Sequence, residues 1–153
     1  MTSRSRSDSS LHARILLVDD NKSGLSARRA ILDELGHRTT TASGGEDAIE
    51  QFSHGKFDIL VTDYRMPKVD GLELIRRVRA VDPAVPIILL SGYVEAYGLD
   101  ESNTGADIVL PKSANEVAHL IRAVNRLLRR KVTRKPPGRQ QTQPTSKRHT
   151  AGR

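Results

Sequence analysis

Short apolar runs alternate with longer segments of helical period along this chain, and that alternation restricts its fold more than any other feature. The runs are Ile15 to Val18, a more polar one at Arg38 to Ala42, Ile59 to Thr62, Ile87 to Leu90, and Ile108 to Leu110. Between them, apolar residues recur at spacings of three and four. Leu25, Ile31, Leu32 and Leu35 make one stripe, and Leu72, Leu74, Ile75 and Val78 a second. Val117, Leu120, Ile121, Val124, Leu127 and Leu128 make a third. Such spacing places each set on one helix face. Strand-like runs separated by amphipathic helices are the pattern of βα units around a parallel sheet. Helix starts are expected at Ser43 with Glu46 and at Ser113 with Glu116, both fitting the capping box, and more loosely at Asp70 with Glu73.

Five strands in 153 residues imply one α/β domain with a doubly wound, flavodoxin-like parallel sheet in the order 2-1-3-4-5, helices on both faces. At this length a separate output domain is not expected. In such sheets ligands bind outside the carboxyl ends of the strands, where the order reverses between the first and third. The expected boundaries are a Ser/Arg-rich disordered segment over 1–12, the domain over 13–131, and a flexible tail over 132–153 with Pro136, Pro137 and Pro144.

The net charge of +7 divides unevenly along the chain. Residues 15–128 hold 13 Lys and Arg against 17 Asp and Glu, whereas residues 129–153 hold 9 basic residues and no acidic one. The domain is therefore mildly acidic, and the basicity belongs to the ends. With no cysteine, disulfides and thiolate metal sites are excluded, so a metal would be held by oxygen or imidazole. No apolar run approaches the roughly 20 residues that span a bilayer, and the N-terminus lacks an apolar signal core, so a cytoplasmic location is expected.

The strand ends carry the chemistry. Asp19 and Asp20 follow the first run and Asp63 the third, so the sheet order brings three carboxylates to one crevice. An isolated loop Asp usually caps a helix. Three together repel one another unless a cation joins them, and a small all-oxygen site suits Mg²⁺. Ser91 closes the fourth run, and Lys112 follows the fifth after Pro111. Each alone reads as a turn residue or a solvated charge. Together with the carboxylates they supply what phosphoryl transfer needs: a nucleophile, a metal site, a hydroxyl donor and a cation to neutralise the equatorial oxygens.

Four stretches carry a family resemblance: V-D-D-N at Val18 to Asn21, D-I-L-V-T-D-Y-R-M-P-K-V-D-G at Asp58 to Gly71, P-I-I-L-L-S-G at Pro86 to Gly92, and G-A-D-I-V-L-P-K at Gly105 to Lys112. In this order and spacing the chain resembles response-regulator receiver domains. The resemblance implies that Asp63 accepts a phosphoryl group from a sensor histidine kinase or a histidine phosphotransfer protein. It implies further that Asp20 binds Mg²⁺ directly, Asp19 through water, and Arg65 through its backbone carbonyl. Ser91 would bond a phosphoryl oxygen, and Lys112 would pair first with Asp63 and then with the phosphoryl group. Met66, Pro67, Asp70 and Gly71 would shape the loop. The implied role is a signalling phosphoacceptor rather than a turnover enzyme.

Two positions depart from the family pattern. Ser113 follows Lys112 where Pro in a cis peptide is usual, and Val109 stands where an aromatic residue usually changes rotamer on activation. Three other functions compete. A haloacid-dehalogenase-type phosphatase would need its nucleophile after the first strand in a D-x-D pattern, whereas Asp19 and Asp20 are adjacent. A receiver-like binding module that ignores phosphate is kept open by Val109. Nucleic-acid association through the basic tail is electrostatically reasonable, although the tail offers no aromatic residue for base stacking.

Overall fold

The computed structural model describes residues 12–133. In chain order the elements are β1 (Arg14–Val18), α1 (Lys22–Glu34), β2 (Arg38–Ala42), α2 (Gly45–His54), β3 (Ile59–Asp63), α3 (Gly71–Val81), β4 (Ile87–Ser91), α4 (Val94–Tyr97), α5 (Glu101–Thr104), β5 (Ile108–Pro111) and α6 (Glu116–Thr133). The five strands are parallel, in the order β2-β1-β3-β4-β5. The doubly wound sheet expected from the sequence is therefore the fold observed.

Strand periodicity divides the core into two layers. Ile15, Leu17, Ile59, Val61, Ile88 and Leu90 face α1 and α6, meeting Leu25, Leu32, Leu120, Val124 and Leu127. Their neighbours Leu16, Val18, Leu60, Ile87 and Leu89 face α2 and α3, meeting Ala48, Phe52, Leu74, Ile75 and Val78. Burying each large apolar side chain contributes about 1.5–3 kcal/mol. The central strands β3 and β4 are buried at every position, which explains why they read as uninterrupted apolar runs. The edge strand β2 carries Arg38 and three threonines instead.

A tie at the other end of the sheet gives the G-A-D stretch a structural role. The Asp107 carboxylate accepts from Ile87 N–H at 2.8 Å and from Arg79 Nη2 at 2.9 Å. Arg79 also donates to the Gly105 and Pro83 carbonyls. One side-chain network thus joins α3, β4 and the turn before β5.

Several local expectations are corrected. The helix after β2 is capped by Gly44, not Ser43, and it is the Asp47 carboxylate that accepts Ser43 N–H. Ser113 Oγ accepts from Asn115 N–H, while the Glu116 carboxylate turns away to Arg28. Neither expected capping box forms, whereas Asp70 does cap α3 through Glu73 N–H. Leu35 and Val117 are exposed, 46% and 41%. They lie at or near helix ends, where the apolar stripe runs past the sheet. Helix α6 runs to Thr133. The other residues of the two expected tails lie outside the described residues, except His12, which precedes β1. Among the described residues no helix is long and apolar enough to cross a membrane.

Candidate phosphoryl-transfer site

Parallel pairing places the carboxyl ends of β1, β3, β4 and β5 side by side. Val18 is in register with Thr62, Asp63 with Leu90, and Ser91 with Pro111. Asp63 and Ser91 are the last residues of their strands, and Asp19 and Lys112 directly follow theirs. All four therefore reach one edge of the sheet without any long loop to order.

Asp19, Asp20 and Asp63 each offer one oxygen, and these atoms lie within 4.8 Å of one another. Asp19 and Asp63 are buried and Asp20 is exposed. The cluster is held together by cations. Lys112 Nζ lies 2.8 Å from Asp63 Oδ1 and 3.9 Å from Asp19 Oδ2. Arg28 Nη1 lies 2.7 Å from Asp19 Oδ2. The donor set is all oxygen, with one ligand open to solvent, and so it fits a hard divalent cation that keeps some of its water.

The two buried carboxyls titrate in opposite directions. Burial pushes Asp63 above the usual carboxylate range, with the charge of Asp19 adding to it, and the Lys112 ammonium and Tyr64 N–H only partly offset this. Burial acts the same way on Asp19. There the Asn21 N–H, the Arg28 guanidinium and the Lys112 ammonium together hold the carboxyl below its ordinary value. A metal ion in the cluster would relieve the repulsion that raises Asp63.

The β3–α3 loop walls the cleft. Gly71 N–H donates to the Tyr64 carbonyl at 2.7 Å, and a Cβ on Gly71 would collide with the Asp63 carbonyl oxygen. Glycine is required there by close approach of backbone, not by its dihedral angles. An open cleft of about 590 Å³ is lined by Asp20, Tyr64, Arg65, Met66, Pro67 and Tyr97, among others. A second, of about 310 Å³, lies over Asp63, Ser91 and Lys112 and shares Arg65 with the first.

Each residue expected at the site from the sequence is thus found at or beside it. Ser91 Oγ accepts from Tyr93 N–H at 2.9 Å, and the Ser91 carbonyl accepts Lys112 N–H at 2.9 Å. Arg65 is exposed, its guanidinium 4.9 Å from the centroid of the Tyr93 ring. No cis peptide occurs among the described residues, so the Lys112–Ser113 bond is trans. Gly98 is not inside a helix. It ends α4 in the left-handed region, at φ 60°, and Gly105 ends α5 in the same way.

Two features escape a reading of the sequence. Arg28 is buried on the same face of α1 as Leu25 and Leu32, and its placement between those leucines at helical spacing was the available signal. Tyr93 stacks on Tyr97 at 5.2 Å, and Tyr97 meets Tyr64 edge-on at 6.0 Å. Tyr64 lies far from the other two in sequence and is joined to them only by the fold.

Comparison with known proteins agrees with this geometry. The chain is 37% identical over 121 residues to the gliding motility regulatory protein of Myxococcus xanthus, a match that covers 74% of this chain and only 15% of that protein. The response regulator protein TrrA of Thermotoga maritima, solved with Mg²⁺ and BeF, superposes with a TM-score of 0.64 at 34% identity, covering 72% of this chain and 97% of that one. The receiver domain of the sensor histidine kinase PA1611 of Pseudomonas aeruginosa, solved with a magnesium ion coordinated in its active-site cleft, gives a TM-score of 0.69 at 29% identity. That match covers 76% of this chain and 98% of that one. The family model described as response regulator receiver domain matches residues 15–125, and the chain accordingly belongs to the response regulator receiver domain family.

Proposed function

We propose that this domain is the phosphoacceptor of a two-component phosphorelay, taking a phosphoryl group onto Asp63 from a sensor histidine kinase or a histidine phosphotransfer protein. The observation that carries the reading is the buried Asp63 carboxylate paired with Lys112 at 2.8 Å, inside a cluster of three carboxylates. An Asp63 oxygen attacks the phosphorus. The P–N bond of the donor phosphohistidine breaks, its electron pair returns to the imidazole nitrogen, and an acyl phosphate remains on Asp63. Lys112 then shifts from the carboxylate to the phosphoryl oxygens, and Ser91 Oγ turns its hydrogen toward them.

Asp19, Asp20 and Asp63, with the Arg65 backbone carbonyl, are the groups proposed to hold Mg²⁺. The ion supplies neutralisation of the charge that builds on the phosphoryl oxygens. Lys112 favours the ionised, nucleophilic form of Asp63 and partly offsets the burial and the neighbouring Asp19 charge that disfavour it. The relatives with Mg²⁺ in the site, and the sensor kinase among them, support the choice of cation and of donor.

Incubating the protein with acetyl phosphate and Mg²⁺ tests the reading. A mass gain of one phosphoryl group, abolished by a chelator and by Asp63→Asn, is expected. A gain of the same size in Asp63→Asn would refute it.

A further inference from the structure

The carboxylate of Asp19 is held by more than its neighbours in the cluster. Arg28 Nη1 donates to Oδ2 at 2.7 Å, while Asn21 N–H donates to Oδ1 at 3.0 Å. The same guanidinium reaches in the other direction, Nε donating to Glu116 Oε2 at 2.8 Å. Arg28 is only 7% exposed, and Glu116 is the first residue of α6. One buried cation therefore joins a carboxylate of the proposed metal site to the first turn of the last helix, which lies 88 residues from Arg28 in sequence.

The local sequence makes room for this bridge. A Cβ on Gly24, one turn before Arg28, would already touch Arg28 Nη1 and Asp19 Oδ2 at 3.4 Å. A buried guanidinium is tolerated only when its hydrogen bonds and charge are met, and two carboxylates meet them here. Burial would weaken its hold on the proton, but Glu116 and Asp19 more than offset this and keep Arg28 charged.

We propose that Arg28 is a positioning residue that neutralises Asp19 in the metal-free protein and competes with the divalent cation for it, so that loading the site shifts Arg28 toward Glu116 and α6. This rests on the metal site proposed above. A guanidinium and a dication that share one carboxylate repel each other, and even at an effective dielectric of roughly 20 that repulsion changes affinity by about tenfold or more. Glu116 moderates the competition, because it draws part of the guanidinium charge away from Asp19.

The test is a Mg²⁺ titration of the full chain by calorimetry and backbone amide shifts, with circular dichroism confirming that each variant is folded. Arg28→Met should bind Mg²⁺ about tenfold more tightly than wild type. Arg28→Lys, which keeps the charge, should stay within roughly threefold of wild type. Glu116→Gln should bind roughly threefold more weakly, since Arg28 then turns wholly to Asp19. In wild type the Mg²⁺-induced shifts should extend to Glu116–Leu120, and in Arg28→Met they should not. A purely structural Arg28 would instead weaken binding in every variant.

Unchanged or weaker binding by Arg28→Met overturns the proposal while leaving the metal site standing. If Arg28→Met does not fold, unchanged or tighter binding by Glu116→Gln overturns it in the same way. Absence of Mg²⁺ binding in all four proteins overturns the metal site and this proposal together.

Discussion

Lys112 Nζ sits 2.8 Å from Asp63 Oδ1, so the ammonium already occupies the position from which it would neutralise a phosphoryl group on that oxygen. Lys112→Ala should slow phosphorylation from acetyl phosphate by roughly tenfold or more, as loss of a preorganised charge donor does elsewhere. Lys112 is partly solvated, and the stability lost should be small, about 0.5–1 kcal/mol in a urea titration. A wild-type rate in Lys112→Ala would place the lysine outside the chemistry.

Stability in metal-free buffer should depend on pH through Asp63 and Asp19 with opposite signs. Burial raises the Asp63 carboxyl in the folded state. Its contribution to stability is therefore present below the ordinary carboxyl pKa and lost as pH rises through the raised one. Asp63→Asn should accordingly raise the melting temperature at neutral pH, with the gain vanishing below the usual carboxylate range. For Asp19, held low by its partners in spite of burial, the contribution is present above the ordinary pKa and lost as pH falls through the depressed one. Asp19→Asn should therefore lower the melting temperature at neutral pH. Thermal melts across the acidic range, with a chelator present, compare the two; shifts of the same sign would contradict the assignment.

Gly71→Ala probes the loop that carries the site. The added methyl would meet the Asp63 carbonyl oxygen and lie 2.9 Å from Tyr64 Cα, both backbone atoms that cannot swing aside. Overpacking of this kind costs about 1–3 kcal/mol. Because the displaced atoms belong to Asp63 and its neighbour, Mg²⁺ affinity should fall along with stability. Equilibrium unfolding and a Mg²⁺ titration on one preparation check both; a stable variant with normal affinity would show that the close approach is dispensable.

The sheet and the four strand-end residues were legible because buried parallel strands must be apolar throughout. Ile59–Val61 and Ile87–Leu90 announce themselves, and whatever polar residue ends such a run must lie at the sheet's edge. Arg28 was not legible in the same way. Its place between Leu25 and Leu32 marks the buried face, but its two carboxylate partners come from the end of β1 and the start of α6. Gly98 lies in the left-handed region at the end of α4, where a glycine costs less than it would inside a helix. Glu116 at three residues from Ser113 has the spacing of a capping box, yet a buried guanidinium is a stronger partner for its carboxylate than an exposed backbone N–H.

Transmission of the phosphorylated state should run through the loop after β4 rather than through β5. Val109 is branched at Cβ and has few rotamers, and its N–H is engaged by the Glu101 carboxylate at 3.1 Å. Tyr93 follows Ser91 closely, bonds its hydroxyl, and stacks on Tyr97, which in turn meets Tyr64 beside Asp63. Movement of Ser91 toward a phosphoryl group would pull on that ring stack, which ends at the left-handed Gly98 that closes α4. Beryllofluoride should therefore shift the backbone amides of Ser91 to Asp100 strongly and Val109 little. Changes centred on Val109 would contradict this route.

The most direct test of the central claim identifies the phosphorylated atom's residue. Borohydride converts an aspartyl phosphate to homoserine, so protein treated with acetyl phosphate and Mg²⁺, reduced and digested, can be read by peptide mass spectrometry. The account predicts homoserine at position 63 and no conversion at Asp19 or Asp20. Homoserine at either of those residues, or none at position 63 in protein that has gained a phosphoryl group, would contradict it.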